Sequence, residues 1–162
     1  MCGLGCELVV LPRSKVGKQL LSASKGPTYR SVVSIGDPGS RRPAGIGGQR
    51  RAVLRLEFED IEDPTDPMAP TAANVETIVE FASTVARLGG KCLVHCEAGV
   101  SRSTAAAAII ARVLLGEGAE AEALRVACEK VPDAAPNRLM LRLADELLEN
   151  GGRLTRARAA YL

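Results

Sequence analysis

Apolar residues along this chain fall into short runs that alternate with longer stretches of helical spacing. Glu7 to Leu11 (ELVVL) and Tyr29 to Ile35 (YRSVVSI) read as strands. Arg51 to Phe58 reads as a third, with Val53, Leu54, Leu56 and Phe58 interleaved with charge, and Lys91 to Val94 (KCLV) as a short buried fourth. Between them, Ser14 to Lys25 predicts a helix stopped by Gly26 and Pro27. Thr71 to about Leu88 predicts an amphipathic helix with Val75, Ile78, Val79, Ala82 and Val85 on one face. Thr104 to Leu115 (TAAAAIIARVLL) predicts a helix with almost no polar face. Two more helices, Ala119 to Lys130 and Asn137 to Asn150, follow, the second closed by Gly151 and Gly152. Gly36 to Gln49 and the acidic, proline-broken Asp60 to Pro70 are loops by composition, and Met1 to Cys6 is a loose start. This alternation predicts an α/β fold: a central, mainly parallel sheet of about four to five strands flanked by helices on both faces. In such sheets ligands bind at the carboxyl ends of the strands.

Composition narrows the picture without changing it. At 162 residues, 46% hydrophobic and 25% charged, the chain can bury one sizeable core and has no room for a second. Two phenylalanines, two tyrosines and no tryptophan mean that aliphatics and alanine must build that core. A net charge of +2 gives no argument for nucleic acid or a membrane surface. No run approaches the ~18 apolar residues of a membrane-spanning helix, and no basic region, apolar stretch and cleavage site open the chain. A soluble, cytoplasmic protein is expected. Five cysteines, an odd number, also favour a reducing compartment. Cys2, Cys6 and Cys128 form no ligand pattern and there is one histidine, so neither a metal nor a cofactor is expected.

The candidate chemistry lies between the fourth strand and the apolar helix, in His95-Cys96-Glu97-Ala98-Gly99-Val100-Ser101-Arg102-Ser103. A loop opening onto a helix N-terminus collects unpaired backbone N–H groups and the positive end of the helix dipole, both of which favour a bound oxyanion. The same field favours the thiolate of a cysteine held there. Arg102 supplies a planar fork that grips two oxygens of one phosphate, which a lysine does not. Gly99 lets the loop curl so that its amides converge, and Ser103 brings a hydroxyl within reach of the sulfur. Glu97, Ala98, Gly99, Val100, Ser101 and Arg102 are therefore the expected substrate-binding residues.

This segment resembles the signature of the cysteine-dependent protein tyrosine phosphatase superfamily, and HCEAGVSRS is most similar to its dual-specificity branch. Rhodanese-type sulfur-transfer loops are usually shorter between cysteine and arginine. Low-molecular-weight phosphatases and arsenate reductases normally carry the loop near the N-terminus. Together with Phe58-x-Asp60-Ile61, Pro136-Asn137 and Leu143 to Leu148, the pattern resembles a small bacterial subgroup of the superfamily. The resemblance spans roughly residues 7–152, a phosphatase domain preceded by a flexible N-terminus (1–6) and followed by a C-terminal tail (153–162).

The resemblance implies a phosphatase-type fold and a phosphomonoester hydrolase acting through a cysteinyl-phosphate, with Cys96, Arg102, Ser103 and an aspartate as catalytic residues. Asp60 ends its strand as the family's general acid does, thirty-six residues before Cys96. Asp63 and Asp66 are closer to the family's spacing and remain alternatives. His95 is expected to orient the loop rather than act as a base, and Asn137 to brace it while capping a helix. Arg41, Arg42, Arg50 and Arg51 either steer an anionic substrate or simply solvate a loop. Cys92 is either a protective disulfide partner for Cys96 or a buried structural thiol. The expected partner is a phosphorylated protein or a small phosphate ester, acted on by a monomer. A phosphate-binding interaction module without turnover is the competing class.

Overall fold

The computed structural model describes residues 3–22, 29–47 and 51–162. Its elements follow the predicted alternation: β1 (Glu7–Pro12), α1 (Arg13–Ser22), β2 (Tyr29–Gly36), β3 (Ala52–Glu57), α2 (Ala72–Leu88), β4 (Lys91–Cys96), α3 (Arg102–Leu115), α4 (Glu120–Cys128), α5 (Arg138–Leu147) and α6 (Arg153–Tyr161). The four strands form one sheet in the order β1-β4-β2-β3, with every pair parallel. β4 is thus flanked by β1 and β2, and its carboxyl end opens in the middle of the sheet edge. The last stretch predicted for α1, Ala23 to Lys25, lies outside the described residues.

Strand alternation sorts the two faces. Val32 and Leu93 turn toward α1, where they meet Val16, Leu20, Tyr29 and Ile46. Val33, Ile35, Cys92, Val94 and Cys96 turn the other way, into a larger core built with α2 to α5. At its centre lies α3, buried from Arg102 through Arg112. Ala105 to Ala108 are all wholly buried, and their small side chains let neighbouring elements come close without aromatic filler.

Local signals fix the helix ends. Thr71 caps α2 by accepting from the Asn74 amide, and the Asn74 side chain returns the bond to the Thr71 amide. Arg112, buried in α3, donates through Nε to Glu120 Oε1 at 2.8 Å and through Nη2 to Asn150 Oδ1 at 2.7 Å. These bonds tie the far end of α3 to α4 and to the turn after α5.

Two stretches are more ordered than the sequence pattern implies. Residues 153–162, expected as a tail, form α6, whose Leu154 is fully buried. Asp145 of α5 accepts from the Leu154 and Thr155 amides at 2.9 and 3.0 Å, so a carboxylate from another helix serves as the cap. At the other end, Leu4 packs with Ala111 and Ala123, while Met1 and Cys2 lie outside the described residues.

Candidate active site

Cys96 is the last residue of β4 and is buried, with Ser103 Oγ 3.1 Å from its sulfur. The loop that follows turns its carbonyls outward. Glu97 C=O accepts from the Arg13 amide at 3.0 Å, Val100 C=O from the Ala135 amide at 3.0 Å, and Ser101 C=O from the Asn137 amide at 3.1 Å. Thr104 Oγ1 donates to both Val100 and Ser101 carbonyls. Three of the loop's carbonyls are thus engaged by neighbouring segments.

Ser101 is the N-cap residue of α3 but makes no side-chain cap bond. Its hydroxyl donates instead to Asp60 Oδ1 at 2.7 Å. The helix start is therefore left open for an outside acceptor.

Gly99 makes the curl possible. Its φ is +71°, and a Cβ there would lie 2.5 Å from the Pro12 nitrogen and 2.8 Å from the Leu11 carbonyl carbon. The colliding atoms are backbone, so neither can swing aside. Gly99→Ala is expected to lose on the order of 2–4 kcal/mol of stability together with tungstate binding, read by urea denaturation and calorimetry. A variant within about 0.5 kcal/mol of the parent would refute that account.

Arg102, 4% exposed, is held from one side. Its Nη1 donates to Asp37 Oδ1 at 2.7 Å and to Phe58 C=O at 2.6 Å. Its Nε is buried without a hydrogen-bond partner. A buried guanidinium N–H lacking an acceptor is costly, so the Nε–Nη2 edge is the edge suited to take the paired oxygens of an oxyanion. Asp37, at the carboxyl end of β2 just past Gly36, was not foreseen from the sequence.

His95 is fully buried, and burial pushes its imidazole down to about 4. Nδ1 lies 3.1 Å from the Cys96 carbonyl, which only accepts, so the proton of the neutral ring sits on Nδ1. Nε2 is then an acceptor and takes the Ser34 hydroxyl at 2.7 Å. Both ring nitrogens are thus engaged, and neither faces the sulfur. Because the unfolded histidine titrates near ~6.5, the folded state loses stability as pH falls from there toward 4, by up to about 3 kcal/mol. Urea midpoints measured from pH 7 to pH 4.5 should fall, and less steeply in His95→Asn; equal slopes would contradict the assignment.

Of the three candidate acids, one reaches the cradle. Asp60 Oδ1 accepts from Ser101 Oγ at 2.7 Å and from Asn137 Nδ2 at 2.9 Å. Asn137 caps α5 by accepting from the Met140 amide through Oδ1. That bond fixes the amide so that its NH₂ faces Asp60 and the Ile61 carbonyl. Capping and bracing are thus one act. Asp63 accepts from the Thr65 amide and hydroxyl, bonds that hold its carboxyl below the usual range, and Asp66 accepts from the Met68 amide. Both shape the acidic loop.

Arg51 turns back to the Tyr29 and Gly45 carbonyls and is structural, Arg41 and Arg42 are exposed, and Arg50 lies outside the described residues. Cys92 is buried in the core, which pushes its thiol up to about 12. Four residues of extended strand put it about 13 Å from Cys96, beyond disulfide reach, so it is a structural thiol.

No family model matches the chain, and none of the curated proteins does. Solved structures do match. Human DUSP28 aligns over 100% of both chains with 22% identity and a TM-score of 0.60. The human tyrosine phosphatase-like serine/threonine/tyrosine-interacting protein aligns over 88% of this chain and 91% of its own, at 22% identity and a TM-score of 0.66. PTPMT1 in complex with PI(5)P aligns over 96% and 95%, at 17% identity and a TM-score of 0.56. The chain therefore has the α/β fold of dual-specificity-phosphatase-like proteins. Among the described residues, no helix is long and apolar enough to cross a membrane.

Proposed function

We propose that this protein is a phosphomonoester hydrolase working through a cysteinyl-phosphate, a dual-specificity-type protein tyrosine phosphatase of the small bacterial kind its motifs resemble. The observation that carries the reading is the open face of the Cys96–Ser103 loop. A buried sulfur with a serine hydroxyl 3.1 Å away, a helix start with no side-chain cap and a buried arginine whose Nε has no hydrogen-bond partner come from one short segment there.

Cys96 thiolate attacks phosphorus as the bond to the leaving oxygen breaks. Arg102 and the amides of Glu97 to Arg102 hold the three equatorial oxygens. Asp60 carries the proton on Oδ2, since Oδ1 is engaged by Ser101 and Asn137, and passes it to the leaving oxygen. Water then attacks phosphorus, Asp60 takes its proton back, and the S–P bond breaks. Ser103 donates to the departing thiolate, 3.1 Å away.

Phosphorylated proteins are the substrates this reading favours. A phosphoinositide or small metabolite ester is the second reading, because one structure of similar fold holds PI(5)P. Since another is named an interacting protein, fold alone does not decide for turnover, and the complete set Cys96, Arg102, Ser103 and Asp60 argues for it. An activity panel of phosphotyrosyl and phosphoseryl/threonyl peptides, inositol phosphates and nucleotides tests the assignment. Turnover of peptides supports it, turnover confined to inositol or nucleotide phosphates moves the substrate class, and binding without turnover leaves an interaction module.

A further inference from the structure

We propose that Arg55 is a positioning residue of this site, setting Cys96 and Arg102 together from a strand that carries neither. The inference rests on reading Cys96 as nucleophile and Arg102 as anion grip. Arg55 stands on β3 opposite Ser34 of β2, which in turn stands opposite His95 of β4. These polar side chains form a row across the sheet on the α1 face, beneath the cradle. The Arg55 side chain is only 8% exposed.

Its two terminal nitrogens serve two different arms. Nη1 donates to Ser34 Oγ at 2.9 Å. That hydroxyl must spend its own proton on His95 Nε2, and His95 Nδ1–H then donates to the Cys96 carbonyl. Arg55 thereby fixes the direction of the whole relay. A cation at its head strengthens each bond in turn and pins the carbonyl of the nucleophilic residue.

The second arm holds the turn after β2. Nη2 donates to Ser40 C=O and Ser40 Oγ, both at 2.9 Å, and the Ser40 amide donates to Asp37 C=O at 3.0 Å. This turn presents the Asp37 carboxylate that fixes Arg102 Nη1. The guanidinium lies so close that a Cβ on Gly36 would be 2.6 Å from Nη2 and 2.3 Å from Ser40 Oγ. Gly36 is thus the seat on which one fork meets both arms. Freed of the tether, Asp37 no longer dictates which edge of Arg102 faces the cradle.

Three variants and two readouts test this without turnover. One readout is the rate of Cys96 alkylation by iodoacetamide at pH 7, followed on the peptide containing Cys96; the other is tungstate affinity. Arg55→Met should slow alkylation about tenfold and weaken tungstate about tenfold, because a charged donor is lost from each arm. Ser34→Ala should slow alkylation alone, leaving tungstate within about twofold. Arg55→Lys keeps the charge but not the fork and should restore one readout at most. A folded Arg55→Met protein with parental values of both would overturn the inference. Should that variant not fold, parental alkylation in Ser34→Ala overturns it, and slowed alkylation with parental tungstate affinity supports it. If the parent itself binds no tungstate and its Cys96 reacts no faster than a cysteine peptide, the proposed function falls, and this inference with it.

Discussion

Cys96→Ser is expected to hydrolyse no phosphomonoester at a useful rate, a loss of at least about four orders of magnitude, while still binding tungstate or vanadate. A serine hydroxyl is a far poorer nucleophile than a thiolate, and the site offers it no general base. The buried histidine donates its only proton to the Cys96 carbonyl and spends its other nitrogen on Ser34. On the proposed function the anion site owes little to the sulfur. It comprises the loop amides, beside carbonyls that accept from the Arg13, Ala135 and Asn137 amides, and Arg102 held by Asp37 and the Phe58 carbonyl. Binding measured by calorimetry should therefore survive when turnover is gone. Residual activity above about a hundredth of the parent would remove Cys96 from the mechanism.

Asp60→Asn should separate substrates by their leaving groups. For tyrosyl or alkyl phosphates the departing oxygen needs a proton, and general acid catalysis contributes roughly 10²–10⁴-fold. For an activated aryl phosphate the oxygen leaves unaided, so the variant should keep most of its rate. The amide retains an oxygen to accept from Ser101 and Asn137, so the loop stays docked and the comparison isolates the proton. Asp63→Asn and Asp66→Asn serve as controls, since those carboxylates bind their own loop. Steady-state kcat/KM across a leaving-group series reads the result. A steep dependence in either control, with none in Asp60→Asn, would move the acid along the loop.

Those two experiments address residues that were visible in the sequence, and the contrast with the rest has a physical basis. The cradle is local: strand, loop and helix are contiguous, and Gly99, Arg102 and Ser103 lie at fixed offsets from Cys96. The sheet and most helices were legible because alternation and helical spacing are local as well. Asp37, Ser34 and Arg55 were not legible. Each matters only through the strand order β1-β4-β2-β3, which brings together residues sixty or so apart, such as Ser34 and His95. A faint signal existed: Ser34 and Arg55 are polar positions in otherwise apolar strands, and Asp37 follows a strand-ending glycine. α6 carries no start signal of its own, because its cap, Asp145, comes from the preceding helix rather than from its own first turn.

The alanine-rich α3 has one further consequence, concerning which measurement is most sensitive to damage. A larger residue at Ala106 or Ala107 would have no solvent side to move into, so the helix itself must shift. Overpacking of that kind typically costs about 1–3 kcal/mol, a modest change in melting temperature. The same shift carries Arg102 with it, and a misplacement of about 1 Å in a catalytic constellation can cost about a hundredfold in rate. Turnover is thus a finer gauge of packing in this core than thermal stability. If the proposed hydrolysis holds, substitutions there that look harmless in a melting curve are expected to lower turnover.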